Sequence, residues 1–125
     1  MQPSPPTCQD QLDQLHEHLF AMIQALLAQP AGSFAGAYHT LVASIEQDFR
    51  HEEQWMDSCQ CADAHQHREQ HARMLAGLHH AAAALEQGNP APARQAAEAL
   101  REWLPFHIAT QDQHLLHALR LEKRA

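Results

Sequence analysis

Apolar residues recur along the chain at intervals of three and four, in four stretches separated by turn-forming residues. Leu12, Leu15, Leu19, Phe20, Ile23, Leu26 and Leu27 form the first stripe. Asp10 stands before it as a candidate helix cap, and Pro30-Ala31-Gly32 ends it. Ser33 can cap a second helix, whose stripe is Tyr38, Leu41, Val42, Ile45, Phe49 and Met56 and whose end falls near Ser58 to Cys61. A third helix is expected over about residues 62–86, with Met74, Leu75, Leu78 and Leu85 on its buried side. Gly88-Asn89-Pro90 is a strong stop and turn. A fourth helix is expected from about Pro92 to Leu121, where Arg120, Lys123 and Arg124 suit the negative pole of the helix dipole. Four amphipathic helices with short connections predict an all-α, antiparallel up-down-up-down four-helix bundle.

Composition agrees with that pattern. Ala and Leu dominate, Val and Ile are scarce and aromatics are only 6%, which favours helix over strand. The 125 residues suffice for one core. Residues 1–9, with three prolines and no periodicity, read as a loose arm, and residues 10–125 as the bundle domain. The formal charge of −7, with scattered basic residues, argues against nucleic-acid binding, which needs clustered positive charge. No apolar run approaches a membrane span and no signal-peptide pattern is present, so a soluble, cytoplasmic, bacterial protein is expected. Cys8, Cys59 and Cys61 are odd in number and do not make a disulfide framework; Cys59 and Cys61 read as free loop thiols in preference to a redox pair.

Histidine changes the picture, at twelve of 125 residues. Several fall on or beside the apolar stripes, together with carboxylates. His16 lies next to Leu15 and three residues before Leu19. Asp48 and Glu52 are four apart, hence only about 40° apart around a helix. His67 and His71 share the face continued by Met74, Leu75 and Leu78. His107 and Asp112 flank Ile108. An isolated buried charge costs several kcal/mol unless it is paired or bound to metal. Seven such groups make a poor apolar core and a good dinuclear metal site, with imidazoles as terminal ligands and carboxylates to bridge and neutralise. His107 and Asp112 are five apart, about 140° on a regular helix, so both reach one site only if the helix is bulged or bent. Pro105 lacks a backbone donor and permits this. His18, His39, His79, His80, His114 and His117 are given no role, His65 is read as solvated, and Glu53 is expected on an outward face or paired with a neighbour.

The motifs resemble those of hemerythrins and bacterial hemerythrin-like (HHE cation-binding) domains over nearly the whole chain. Asp13-x-x-His16-x-x-Leu19-Phe20 looks like the first-helix motif, and Phe49-x-x-Glu52-Glu53-x-x-Met56 like the second. His67-x-x-x-His71 follows at the family interval, and Trp103-Leu104-x-x-His107-Ile108-x-x-x-Asp112 looks like the fourth-helix motif. The resemblance implies two iron ions joined by an oxo or hydroxo bridge. His67, His71 and His107 would hold one, His16 the other, and Glu52 and Asp112 would bridge them. Leu19, Phe49, Trp103, Leu104 and Ile108 match positions that help wall an apolar pocket over the oxygen-binding iron, although ordinary core packing explains them equally well. The implied partner is dioxygen or another small diatomic or peroxide ligand; a protein partner is not implied.

The chain departs from the family where Asp48 stands in place of a His of the second iron. Three arrangements are open: Asp48 as a carboxylate ligand, which is preferred; His51 turned inward, although it sits about 100° from Glu52; or a more weakly held second iron. An added negative charge stabilises the ferric over the ferrous state. The expectation is a protein that reacts with dioxygen and releases it poorly. A di-iron oxidase or peroxidase, a redox or nitric oxide sensor, and a metal store are the alternatives. Ferritin-like Glu-x-x-His pairs and the His-Glu-x-x-His protease motif are both absent.

Overall fold

The computed structural model of the protein describes residues 8–58, 64–113, 115 and 117. They form helices α1 (Cys8–Leu27), α2 (Ala31–Ser58), α3 (Ala64–Glu86) and α4 (Ala91–His107), the last running into a π-helical segment, Ile108–Asp112. Each helix packs on two others: α1 on α2 and α4, and α3 on α2 and α4. Short connections make sequential neighbours antiparallel, and the architecture is an all-α four-helix bundle.

The helix starts differ slightly from expectation. Asp10 lies in the first turn of α1, which already begins at Cys8. Ser33 is the third residue of α2 and not its cap. Pro30, with its fixed φ and missing N–H, suits the junction before Ala31. The Ser33 amide bonds the Pro30 carbonyl, and its hydroxyl bonds Gln29 Oε1 at 2.7 Å. Between α3 and α4, Gly88 takes φ +88°, the left-handed region open to glycine. The Gly88 amide donates to the Leu85 carbonyl and the Asn89 amide to the Ala84 carbonyl, so the end of α3 is closed by a Schellman motif. Of the arm expected over residues 1–9, Cys8 and Gln9 belong to α1, and residues 1–7, the Cys59–Cys61 segment and the expected helix end at Leu121 lie outside the described residues.

The fourth helix changes its winding where the five-residue spacing requires it. Pro105 sits inside α4, and the Ile108 amide is shared between the carbonyls of Leu104 and Pro105. The Thr110 hydroxyl bonds back to the Phe106 carbonyl at 2.9 Å, a contact that bends helices. In the π segment that follows, i→i+5 bonding widens the turn and brings residues five apart toward one face.

The bundle is filled unequally. Ile23, Leu26, Phe34, Tyr38, Leu41, Ile45, Leu78, Ala81, Ala93, Ala97 and Leu100 form an apolar cluster through most of its length. Among the described residues the buried polar side chains are His16, Asp48, Glu52, His67, His71, His107, Gln111 and Asp112, and all but His16 come from the C-terminal part of α2, the N-terminal part of α3 and the end of α4 with its π segment. Those three parts share one end of an antiparallel bundle. Within the apolar part, the buried Tyr38 hydroxyl donates to the Leu78 carbonyl at 2.7 Å, tying α2 to α3. Tyr38→Phe is expected to cost about 1 kcal/mol, the net worth of a typical hydrogen bond. Thermal unfolding should then fall by roughly 3–5 °C; an unchanged midpoint would show that this bond contributes nothing net.

Candidate metal centre

The centre is built from one or two side chains of each helix. His67 and His71 are one helical turn apart on α3 and so project together. Glu52 faces them from α2, His16 enters from α1, His107 is the last residue of α4 and Asp112 ends the π segment that follows it. Two gatherings of ligand atoms result, each within 4.8 Å: Glu52, His67, His71 and His107 in one, and His16, Glu52 and Asp112 in the other.

The carboxylates lie between them. Glu52 Oε2 is 2.8 Å from His71 Nε2, 3.2 Å from His67 Nε2 and 3.7 Å from His107 Nε2. Its other oxygen, Oε1, is 3.8 Å from His16 Nε2. Asp112 repeats the division: Oδ2 accepts from His16 Nε2 at 2.8 Å, and Oδ1 lies 3.0 Å from His67 Nε2 and 3.1 Å from His107 Nε2. Each carboxylate thus presents one oxygen to His16 and the other to the opposite imidazoles, three of them for Glu52 and two for Asp112.

This donor set fits cations better than it fits hydrogen bonding alone. Asp112 Oδ1 is buried and close to two ring nitrogens, yet has no properly directed hydrogen bond to either. The Nε2 atoms of His67 and His71 each lie 3.2 Å from that of His107. A bond between two such nitrogens uses one proton, for which the carboxylates also compete; a cation among the lone pairs satisfies all of them together. Nitrogens about 2.1 Å from a shared ion would be about 3.0–3.4 Å apart.

Of the residues singled out in the sequence, His16, Glu52, His67, His71, His107 and Asp112 are brought together. Asp48 belongs to neither gathering. It is buried one turn before Glu52, and its Oδ2 has no hydrogen-bond partner. Burial pushes its carboxyl up to about 6, with His18, His51 and His16 opposing that shift and Glu52 reinforcing it. His51 is exposed, its ring 6.3 Å from that of Trp55. Phe49 stacks on His71 at 3.8 Å between centroids, and Trp103 on His107 at 4.3 Å. These two rings therefore lie against the three-histidine gathering, whereas Leu19, Leu104 and Ile108 belong to the common core packing. Sequence reasoning missed Gln70, whose Oε1 is 3.2 Å from His107 Nδ1. Only its place one residue before His71 hinted at this.

A helical bundle with two adjoining His/carboxylate gatherings defines a cation-binding protein class. The chain belongs to the hemerythrin HHE cation-binding domain family, which it matches over residues 8–119. It is 25% identical to the bacteriohemerythrin of Ralstonia nicotianae (strain ATCC BAA-1114 / GMI1000) over 101 residues, 81% of this chain and 74% of that protein. No solved structure gives a significant match. No helix among the described residues is long and apolar enough to cross a membrane.

Without a metal, protons hold the centre together. Burial works against charged His16 and His67, but their bonds to Asp112 and Glu52 outweigh it and raise both to about 9. His107 is raised by the same partners against the same burial. Burial lowers His71 despite Glu52, and the neighbouring His67 and His107 charges add to that. Burial also opposes the charged carboxylates, yet bonds from His107, His16 and His67 hold Asp112 down at about 2 and, with His71, hold Glu52 well below its usual range. A histidine raised on folding contributes its stability fully below its unfolded pKa and loses it as pH passes the folded value. Above pH 6.5, His71 is neutral in both folded and unfolded states and Asp48 is ionised in both. Chemical denaturation of the metal-free protein in chelator should therefore show stability falling between pH 6.5 and 9, on the order of a few kcal/mol in total. A flat or rising profile over that interval would mean these ion pairs do not hold the metal-free centre.

Proposed function

We propose that the protein is a hemerythrin-like non-haem di-iron protein that binds or reacts with dioxygen. The observation that carries this reading is the pair of carboxylates, Glu52 and Asp112, each divided between the three-histidine gathering and His16. On this reading His67, His71 and His107 hold one iron, His16 the other, and the two carboxylates span both. Imidazole with carboxylate suits iron. Two ferrous ions held together supply the two electrons that dioxygen takes up in a first reduction. The similarity to a bacteriohemerythrin supports the same reading.

Asp48 completes the second position in this proposal. Its buried Oδ2 lacks a partner, and a cation would provide one at the place where the family has a neutral histidine. The extra negative charge favours ferric iron. The protein is then better suited to giving electrons to dioxygen than to returning dioxygen unchanged. Leu19, Phe49, Trp103, Leu104 and Ile108, packed in the core, would keep water from the centre on this reading.

The protein loaded anaerobically with ferrous iron should bind two irons per chain and develop visible absorption on exposure to air. That absorption should persist when the oxygen is removed. In Asp48→His a larger part of it should disappear on deoxygenation, and autoxidation should slow. Full reversibility in the unsubstituted protein would make it an oxygen carrier and remove the redox role given to Asp48. Absence of bound iron would overturn the di-iron reading itself.

A further inference from the structure

An imidazole ligand must present a lone pair from one nitrogen, and in the neutral ring the proton then sits on the other. What the second nitrogen bonds decides which tautomer is present and how the ring is turned. The three imidazoles facing Glu52 differ in this respect. His71 Nδ1 is buried without a hydrogen-bond partner, and Glu53 Oε2 is 4.0 Å away. His107 Nδ1, by contrast, lies 3.2 Å from Gln70 Oε1. A carbonyl oxygen only accepts, so Nδ1 carries a proton, and Nε2, which faces Glu52, Asp112, His67 and His71, is the nitrogen left to present a lone pair to an ion. Trp103 lies nearly parallel to the same ring, at 17° and 4.3 Å, and fixes its plane.

We infer that Gln70 is a positioning residue for the metal centre, setting the tautomer and orientation of His107 from outside the ligand set. This rests on the reading that His67, His71 and His107 hold an ion. The amide brings a further consequence because it is neutral. A carboxylate at the same place would draw the Nδ1 proton and make His107 a more basic, more electron-donating ligand, favouring the higher oxidation state. Gln70 fixes the ring without that effect, so it keeps the ferrous state accessible on the three-histidine side. Asp48 adds charge only on the His16 side. The two halves of the centre are thereby tuned in opposite directions.

Gln70 is well placed for a test. It is only partly buried, and with Trp103 and the 65% exposed Phe106 it lines an open groove of about 500 Å³ between α3 and α4. Substitution there leaves the apolar core untouched.

The experiment compares the full chain with Gln70→Leu and Gln70→Glu. Each is loaded anaerobically with ferrous iron, and two quantities are read: retention of iron against a ferrous chelator, and the midpoint potential. Gln70→Leu should release one of the two irons about 10–100-fold more readily, the usual effect of losing an outer partner of a ligating histidine. Its metal-free thermal midpoint should be unchanged. Gln70→Glu should restore retention and lower the potential, which a purely space-filling role would not do. Equal retention in Gln70→Leu overturns the proposal, as does failure of Gln70→Glu to rescue. If the unsubstituted chain holds no iron at all, the cation-site reading fails and this inference falls with it; loss confined to the variants' behaviour leaves that reading standing.

Discussion

Glu52 and Asp112 are buried carboxylates, and a bundle core accepts them only because each is met on both sides by imidazoles. That pairing sets the rest of the site. One oxygen of each carboxylate faces His67 and His107, with His71 as well for Glu52, while the other faces His16, so imidazoles from α1, α3 and α4 must converge on carboxylates from α2 and the π segment. Removing any one partner would leave charge uncompensated in a low-dielectric interior, where breaking such a pair typically costs about 3–5 kcal/mol. The remaining core has to supply the stability that this polar end does not. Hence aliphatic and aromatic packing fills the rest of the bundle, from Ile23 and Phe34 to Ala93 and Leu100.

The winding of the fourth helix is part of the same constraint. On a regular helix Asp112 would point well away from His107 and could not reach His16. The π segment at Ile108–Asp112 removes that conflict, and Pro105 with the Thr110–Phe106 contact places the change of winding just before it is needed. A π turn is less well bonded than an α turn and is usually found where function requires it. Here its function is geometric: it aims Asp112 into the space between the two groups of imidazoles.

The helices and most of the centre were legible because both follow periodicity. Glu52, His67 and His71 sit at helical intervals on or beside apolar stripes, and the five-residue gap between His107 and Asp112 demanded a bulge that the fold contains. What was not legible depends on side-chain direction across helices. Nothing in the pattern distinguishes Gln70 from the exposed Gln66 and Glu69 near it, because its role arises from where α4 presents His107. The stacking of Phe49 on His71 and of Trp103 on His107 is of the same kind: the residues read as core, and their contact with the imidazoles is set by packing of α2 and α4 on α3. Ser33 illustrates a local miss, where α2 starts at Ala31, just after Pro30, ahead of the expected cap, and leaves the hydroxyl to bond Gln29.

Asp48 and Gln70 show that the two halves of the centre are built to different standards. On the three-histidine side, His107 has both a bond to its outer nitrogen and an aromatic ring against its face, and His71 has Phe49 stacked on it. Such rings lose little freedom on binding an ion, because packing has already fixed them. On the other side a single imidazole, His16, is accompanied by a buried carboxylate whose Oδ2 has no partner. Leaving a polar atom unsatisfied in the interior is destabilising by about 1–3 kcal/mol, so that side stores a local demand for a cation or a proton. In the proposed centre, the three-histidine half has its rings held by stacking, whereas the His16 half would complete its set only when an ion meets Asp48. On the proposed di-iron reading, exchange of ligands or ions would meet the smaller structural resistance in the second half, because stacking already fixes His71 and His107 in the first.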